Sequence, residues 1–218
     1  RAWMDERLVR KFDRFVVLTQ EDMQMWGEMP GIRVIPNAAN FIAEKYSDCS
    51  AKRVIAVGRL DYQKSFDRLI QVWEKVHQQM PDWRLDIFGQ GEWREMLQNM
   101  IDERGLNGTV KLNGPTKNIG QEYSDSSILV MSSHYEGFPM VMIEAMACGL
   151  PAVSFDFKCG PRDIIKEGEN GLVVKDGDID GLAEAMVTLM KDDELRKRMG
   201  EEAKKVVETF SESKVMDK

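Results

Sequence analysis

"SILVMSSHYEGFPMVMIEAMACGLPAVSF" (residues 127–155) reads as two short apolar runs joined by a loop and an apolar helix. The runs, SILVMS (127–132) and PAVSF (151–155), are short, rich in branched residues and bounded by serine, glycine or proline, as buried parallel strands are. The Met- and Ala-rich segment beginning near Pro139 has the composition of a buried helix, and proline suits the first helical position. Two acids interrupt this apolar stretch. Glu136 lies in the loop at the helix mouth and Glu144 lies too deep in the helix to cap it. A buried carboxylate without a partner is costly. Glu144 therefore needs either a salt bridge from a neighbouring strand end or hydroxyl donors such as a ribose or sugar diol. Glu136 reads either as a free loop acid or as part of the same site. Gly137 permits close backbone approach, and the amides of Phe138, Met140 and Val141 are expected to face whatever lies above the sheet.

The alternation continues on both sides of this stretch. RVIAVG (53–58), RLDIFG (84–89), TVKLNG (109–114) and GLVVK (171–175) bring the strands to six. SFDRLIQVWEKVHQQM places Phe66, Leu69, Ile70, Trp73, Val76 and His77 on one helical face, and EWREMLQNMIDERG ends on Gly105, a plausible residue just past a helix end. DGLAEAMVTLMKD and DELRKRMGEEAKKVVETF read as two closing amphipathic helices. Strand and helix alternating in this way predict an α/β fold: a Rossmann-like, doubly wound parallel six-stranded sheet with helices on both faces. Ligands of such sheets lie beyond the carboxyl ends of the strands.

FVVLT (15–19) reads as one more buried strand and QEDMQMWGEM as the helix after it. IRVIPN (32–37) reads as a linker, because Pro36 cannot continue a central strand. Residues 1–36 are accordingly expected to be the remnant of a preceding domain, and residues 37–218 the ligand-binding domain.

Three strand ends carry further candidates. In VGRLDYQKSFDRLI a strand ends at Gly58, Arg59 follows, and Lys64 stands at the mouth of a helix beginning near Ser65 or Phe66. Helix-start amides with a forked and a point cation would suit a diphosphate; a solvated loop with two incidental cations reads as well. Gly89 and Gly91 in IFGQGEW begin a G-x-G-x-x-G whose third position is Arg94, which favours a tight turn over a nicotinamide site. In CGPRDIIKEGENGLVV, Gly160 and Pro161 open a short helix, Arg162 and Asp163 could line the cleft, and Gly168 and Gly171 read as turn glycines of a hairpin-like connection.

Bulk composition narrows the class. The chain has 218 residues, 43% hydrophobic and 31% charged, with a formal net charge of −7. That charge argues against nucleic-acid binding through bulk electrostatics. Cys49, Cys148 and Cys159 show no metal spacing and read as reduced packing thiols of a cytoplasmic protein; His77 and His134 are too far apart to suggest a metal site.

Taken in order and spacing, these stretches resemble the C-terminal, donor-binding domain of retaining GT-B glycosyltransferases of family 4, or group 1. The E-x7-E pattern of Glu136 and Glu144 is the most specific element; VIPNAAN, VGRLDYQKSFDRLI, IFGQGEWREML, NGLVVKDGD and FSESKV support it. The resemblance implies a hexosyltransferase acting on a nucleoside-diphosphate sugar, UDP-sugar favoured, in surface polysaccharide synthesis. Arg59 and Lys64, after Gly58, would bind the diphosphate, Glu144 the ribose, and Glu136 the transferred sugar. The backbone of Gly137, Phe138, Pro139 and Met140 would bind sugar and phosphate oxygens, and Thr116, Lys117 and Asn118 would lie by the base. It implies no metal or other cofactor, since cations and helix amides stabilise the leaving diphosphate. The acceptor, a glycan or lipid-linked sugar, would bind a domain that precedes this one, with the full-length enzyme in contact with the inner face of a membrane. The chain alone is expected to bind nucleotide weakly and transfer nothing. Where relatives carry glycine after the lysine this chain has Ser65, expected to cap the helix, and Asp163 stands where many carry glutamate. A GT-B epimerase or a non-catalytic nucleotide-binding module are the alternatives.

Overall fold

The structure is a computed structural model describing residue 9 and residues 11–27, 29–39 and 41–216. Asn40, the last residue of the VIPNAAN match, and residues 217–218 of the terminal VMDK lie outside the described residues, as do residues 1–8 and Arg10 of the expected first-domain remnant and Glu28.

Two sheets form. The smaller pairs β1 (Phe15–Val17) with β2 (Ile32–Val34) in parallel, joined by helix α1 (Gln20–Trp26). This corrects two expectations. IRVIPN contains a strand, because Pro36 falls past its end at Val34 and removes no ladder bond. FVVLT is not fully buried, since Val16 is 49% exposed.

The larger sheet contains β3 (Arg53–Val57), β4 (Arg84–Phe88), β5 (Val110–Gly114), β6 (Ile128–Met131), β7 (Ala152–Asp156) and β8 (Gly171–Lys175). Their spatial order is β5-β4-β3-β6-β7-β8 and every pairing is parallel. This is the doubly wound sheet that the alternating pattern predicts. The central strands β3 and β6 bury almost every residue, while edge strand β5 alternates buried Val110 and Leu112 with exposed Lys111. Because β8 runs parallel to β7, no hairpin joins them: Gly168 turns the chain at φ +74, and Gly171 belongs to β8, where a Cβ would meet the Ala152 carbonyl oxygen at 2.3 Å.

Helices α2 (Phe66–Gln79), α3 (Arg94–Glu103) and α7 (Ile179–Lys191) pack together as one layer. Helices α4 (Ile119–Ser124), α5 (Met140–Ala147), α8 (Asp193–Ala203) and α9 (Val206–Phe210) form another, and the short α6 (Pro161–Ile164) follows β7. The expected face of α2 is buried from Phe66 to Val76, with Trp73 and Trp83 among the largest enclosed side chains. Each such side chain contributes about 1.5–3 kcal/mol on burial. The last long amphipathic pattern is divided into α8 and α9 by a turn at Lys204–Lys205, and a further short helix, α10 (Glu212–Met216), follows Ser211. Arg196 of α8 is buried and donates to the carbonyls of Leu189 (2.6 Å) and Cys49 (2.9 Å), tying the end of α7 to the start of β3's approach.

Candidate functional site

β3 and β6 are neighbours in the sheet although not consecutive in the chain, so the loops leaving them diverge and open a crevice. The first loop is shaped by glycine. At Gly58 a Cβ would lie 2.8 Å from Cγ, Cδ and Cε of Lys64, so the lysine can cross the strand end only over a glycine. Gly89 has φ +148, and a Cβ there would meet the Gly58 carbonyl oxygen at 1.8 Å; one at Gly91 would meet that of Leu60 at 2.3 Å. The two loops are also laced by Gly58 N–H to Phe88 O (2.9 Å) and Leu60 N–H to Gln90 O (3.0 Å). The G-x-G of the sequence therefore serves backbone packing at a tight turn.

Across the crevice, Lys64 Nζ donates to Glu136 Oε1 at 2.7 Å. The same oxygen accepts from Ser133 Oγ at 2.7 Å, and Oε2 accepts from Gln63 Nε2 at 3.2 Å. Gln63 also donates to the Tyr135 carbonyl (3.1 Å), and its Oε1 accepts from Arg59 at 2.9 Å. Glu136 is thus not a free loop acid. Arg59 is 70% exposed and paired with Asp61 at 3.2 Å. Ser65 does not cap α2 with its hydroxyl: it sits at φ +50, and its Oγ donates to Asp67 (2.9 Å) and lies 3.1 Å from His134 Nε2. A left-handed backbone explains why glycine suits this position better.

A cavity of about 370 Å³ lies beside this cluster. Val57, Gly58 and Phe88–Gln90 line it from the strand ends, together with Pro115, Thr116 and Ile119, and Arg59 and Glu144 supply charged groups. Size and mainly apolar lining with few polar groups suit a small-molecule site. Tyr123 Oη donates to Glu144 Oε2 at 3.4 Å, and among the described residues no cation lies within ion-pairing distance of Glu144. Burial pushes the Glu144 carboxyl above its usual range, opposed by the Tyr123 bond and the Lys64 charge. Burial and then Glu144 push the Tyr123 phenol well up, so the tyrosine keeps its proton and stays a donor.

Other expected site residues separate. Thr116 Oγ1 accepts the Asn118 N–H (3.1 Å), a local turn that leaves Thr116 on the cavity while Lys117 and Asn118 line a neighbouring depression with Phe41 and Lys45. Phe138 is buried edge-on against Phe210, at 5.5 Å. Pro139 precedes α5 at its cap, one position earlier than expected, and the Met140 N–H turns back onto the Phe138 carbonyl (2.9 Å) instead of facing the crevice. Gly137 is exposed with open space about it. Arg162 forks onto Asp156, and Asp163 accepts from the Gln20 N–H, so neither lines the cavity. Gln63, Ser133 and Tyr123 escaped the sequence reading. Tyr123 could have been suspected, because a buried phenol needs a partner. Among the described residues no group of three His, Cys, Asp or Glu side chains could hold a metal ion.

The profile described as "Glycosyl transferases group 1" matches residues 40–206. The chain belongs to that family. This group 1 chain is 38% identical over 197 residues to an exopolysaccharide phosphotransferase of Streptomyces coelicolor, covering 88% of the chain and 21% of that protein. It is 36% identical over 201 residues to the amylovoran biosynthesis glycosyltransferase AmsD of Erwinia amylovora, covering 88% and 56%. It superimposes on a mutant of Staphylococcus aureus TarM, crystallised with fondaparinux, α-GlcNAc-glycerol and UDP, with a TM-score of 0.87 and 27% identity, covering 97% of this chain and 45% of that one. The group 1 chain therefore spans only part of the length of each relative.

Proposed function

We propose that the chain is the donor-binding half of a retaining hexosyltransferase that moves a sugar from a nucleoside-diphosphate sugar, UDP-sugar favoured, to a growing surface glycan or lipid-linked acceptor. The observation that carries the reading is the Lys64–Glu136 pair beside a cavity lined by Gly58, Arg59 and Glu144. In this reading the ribose diol donates to Glu144, which among the described residues has no cation of its own, and the diphosphate takes Arg59 and Lys64. Glu136, held by Lys64, Ser133 and Gln63, accepts from hydroxyls of the transferred sugar. The sugar–oxygen bond to the diphosphate breaks, the acceptor oxygen bonds to the same face of the anomeric carbon, and the acceptor proton passes to the leaving phosphate. The chain's contribution is positioning and charge stabilisation, so no side-chain nucleophile and no metal is required.

The acceptor would bind a preceding domain, of which β1, α1 and β2 would be part. The two-stranded sheet supports this, since a pair of three-residue strands is marginal by itself and Val16 is half-exposed. The chain alone would then bind donor and transfer nothing. Among the described residues no helix is long and apolar enough to cross a membrane, and peripheral contact of the whole enzyme at a cytoplasmic membrane face fits the acceptor class. Calorimetric titration with UDP, GDP and ADP tests the reading. UDP is expected to bind best; binding of none of the three, or efficient transfer by the chain alone, would overturn it.

A second reading rests on the Streptomyces relative, in which a comparable domain belongs to a much longer phosphotransferase. The released nucleotide separates the two: sugar transfer from a UDP-sugar liberates UDP, and phosphosugar transfer liberates UMP.

A further inference from the structure

The loop between β7 and α6 is gripped from two sides. On one side is α1, which belongs to the smaller sheet. Glu21 Oε2 accepts from the Cys159 N–H at 2.6 Å, and Asp163 Oδ2 accepts from the Gln20 N–H at 2.9 Å. On the other side is the loop carrying Glu136. The Lys158 carbonyl accepts from the Glu136 N–H at 3.2 Å, and Lys158 bridges Tyr135 in parallel register. Gly160 lies against Pro139, where a Cβ would come within 2.4 Å of the ring Cδ.

The Lys158 carbonyl and the Cys159 N–H belong to one peptide unit. A trans peptide is planar, with its C=O and N–H pointing in opposite directions. Fixing one end therefore orients the other. Cys159 sits at φ +64, an unfavourable conformation for a side-chain-bearing residue, which persists only where surrounding bonds impose it. Glu21 supplies such a bond, and it is charge-assisted.

We propose that Glu21 is a positioning residue of the donor site: through the Lys158–Cys159 peptide it holds the Glu136 backbone, and with it the sugar-side carboxylate, in register. The proposal rests on the sugar-side role of Glu136 given above. It makes the smaller sheet's helix part of the donor site's support, with Glu21 acting at one remove from the substrate.

The test compares the chain carrying Glu21→Ala or Glu21→Gln with the unaltered chain; glutamine keeps an oxygen acceptor at the same reach. Without ligand, amide hydrogen exchange at Cys159 and Glu136 is expected to rise about tenfold in the alanine variant. Exchange should return towards the parent rate in the glutamine variant and stay unchanged at Val54 in β3. Unchanged exchange at Glu136, or a rise that includes Val54 and is not rescued by glutamine, would overturn the proposal. With ligand, Glu21→Ala should weaken UDP-glucose about tenfold while UDP stays within about twofold; an equal loss of both would also overturn it. If the unaltered chain binds neither nucleotide, the donor-site reading fails, and the exchange result still decides the coupling.

Discussion

Lys64 and Glu136 stand 72 positions apart in the chain and 2.7 Å apart in the fold. Their side chains are 13% and 9% exposed, so each depends on the other for charge compensation. Lys64→Met keeps the length and removes the charge. The carboxylate keeps only the Ser133 and Gln63 donors, and a stability loss of about 1–3 kcal/mol is expected in urea unfolding. Adding Glu136→Gln should recover part of it, because the stranded charge is gone. UDP affinity should fall about tenfold or more in both variants.

Glu144 gives a pH-dependent prediction. Its folded pKa lies above the unfolded value, near 4.5, because of burial. Between those two values the folded state binds more protons than the unfolded state, so stability falls as pH rises through the window and stays reduced above it. Glu144→Gln removes the charged form. The variant should be more stable than the parent at pH 7, with the gain disappearing as pH falls to about 4.5. Its UDP affinity should drop about tenfold, because a ribose acceptor is lost. Urea unfolding at several pH values, paired with calorimetry, checks both halves.

Gly89 and Gly105 both have positive φ, yet they should respond differently to alanine. At Gly105 the added Cβ meets open space, and only the left-handed backbone penalty of about 1 kcal/mol applies. At Gly89 it would sit 1.8 Å from the Gly58 carbonyl oxygen, between two backbones that cannot separate without disturbing Lys64. A loss of about 3 kcal/mol or more is expected there, together with weakened UDP binding. Thermal unfolding of the two variants side by side measures the contrast.

Ser65 separates backbone strain from hydrogen bonding. Ser65→Ala keeps φ +50 and loses the bonds to Asp67 and His134, so about 1 kcal/mol of stability should go. Ser65→Gly loses the same bonds and relieves the left-handed strain. Glycine should therefore be the more stable of the two by about 1 kcal/mol. A reversed order in urea midpoints would show that the strain argument is wrong.

Much of the fold is legible in the amino-acid order. The six apolar runs, the buried face of α2, the Gly105 helix end and the sheet class follow from spacing and turn residues, which act between near neighbours. The misreadings share a cause. β2 was hidden by Pro36 because a strand of three residues leaves little pattern, and the supposed hairpin before β8 turned on which strand it would pair with. The split of Thr116 from Lys117 and Asn118, which line an adjacent depression, follows from a loop turn in which the Asn118 N–H donates to Thr116, a contact that spacing alone does not reveal.

Amino-acid order by itself determined that this chain is a doubly wound parallel sheet, with cations after its first strand and two acids around its fourth helix-bearing loop. Tertiary structure alone decided that Glu136 meets a lysine while Glu144, among the described residues, meets only the Tyr123 hydroxyl, that Gln63 links Arg59 to Glu136, and that one peptide joins Glu21 to the same loop. Periodicity is a property of consecutive residues. Charge compensation depends on which distant strand ends the sheet order brings together, and on how much water the surrounding loops leave between them.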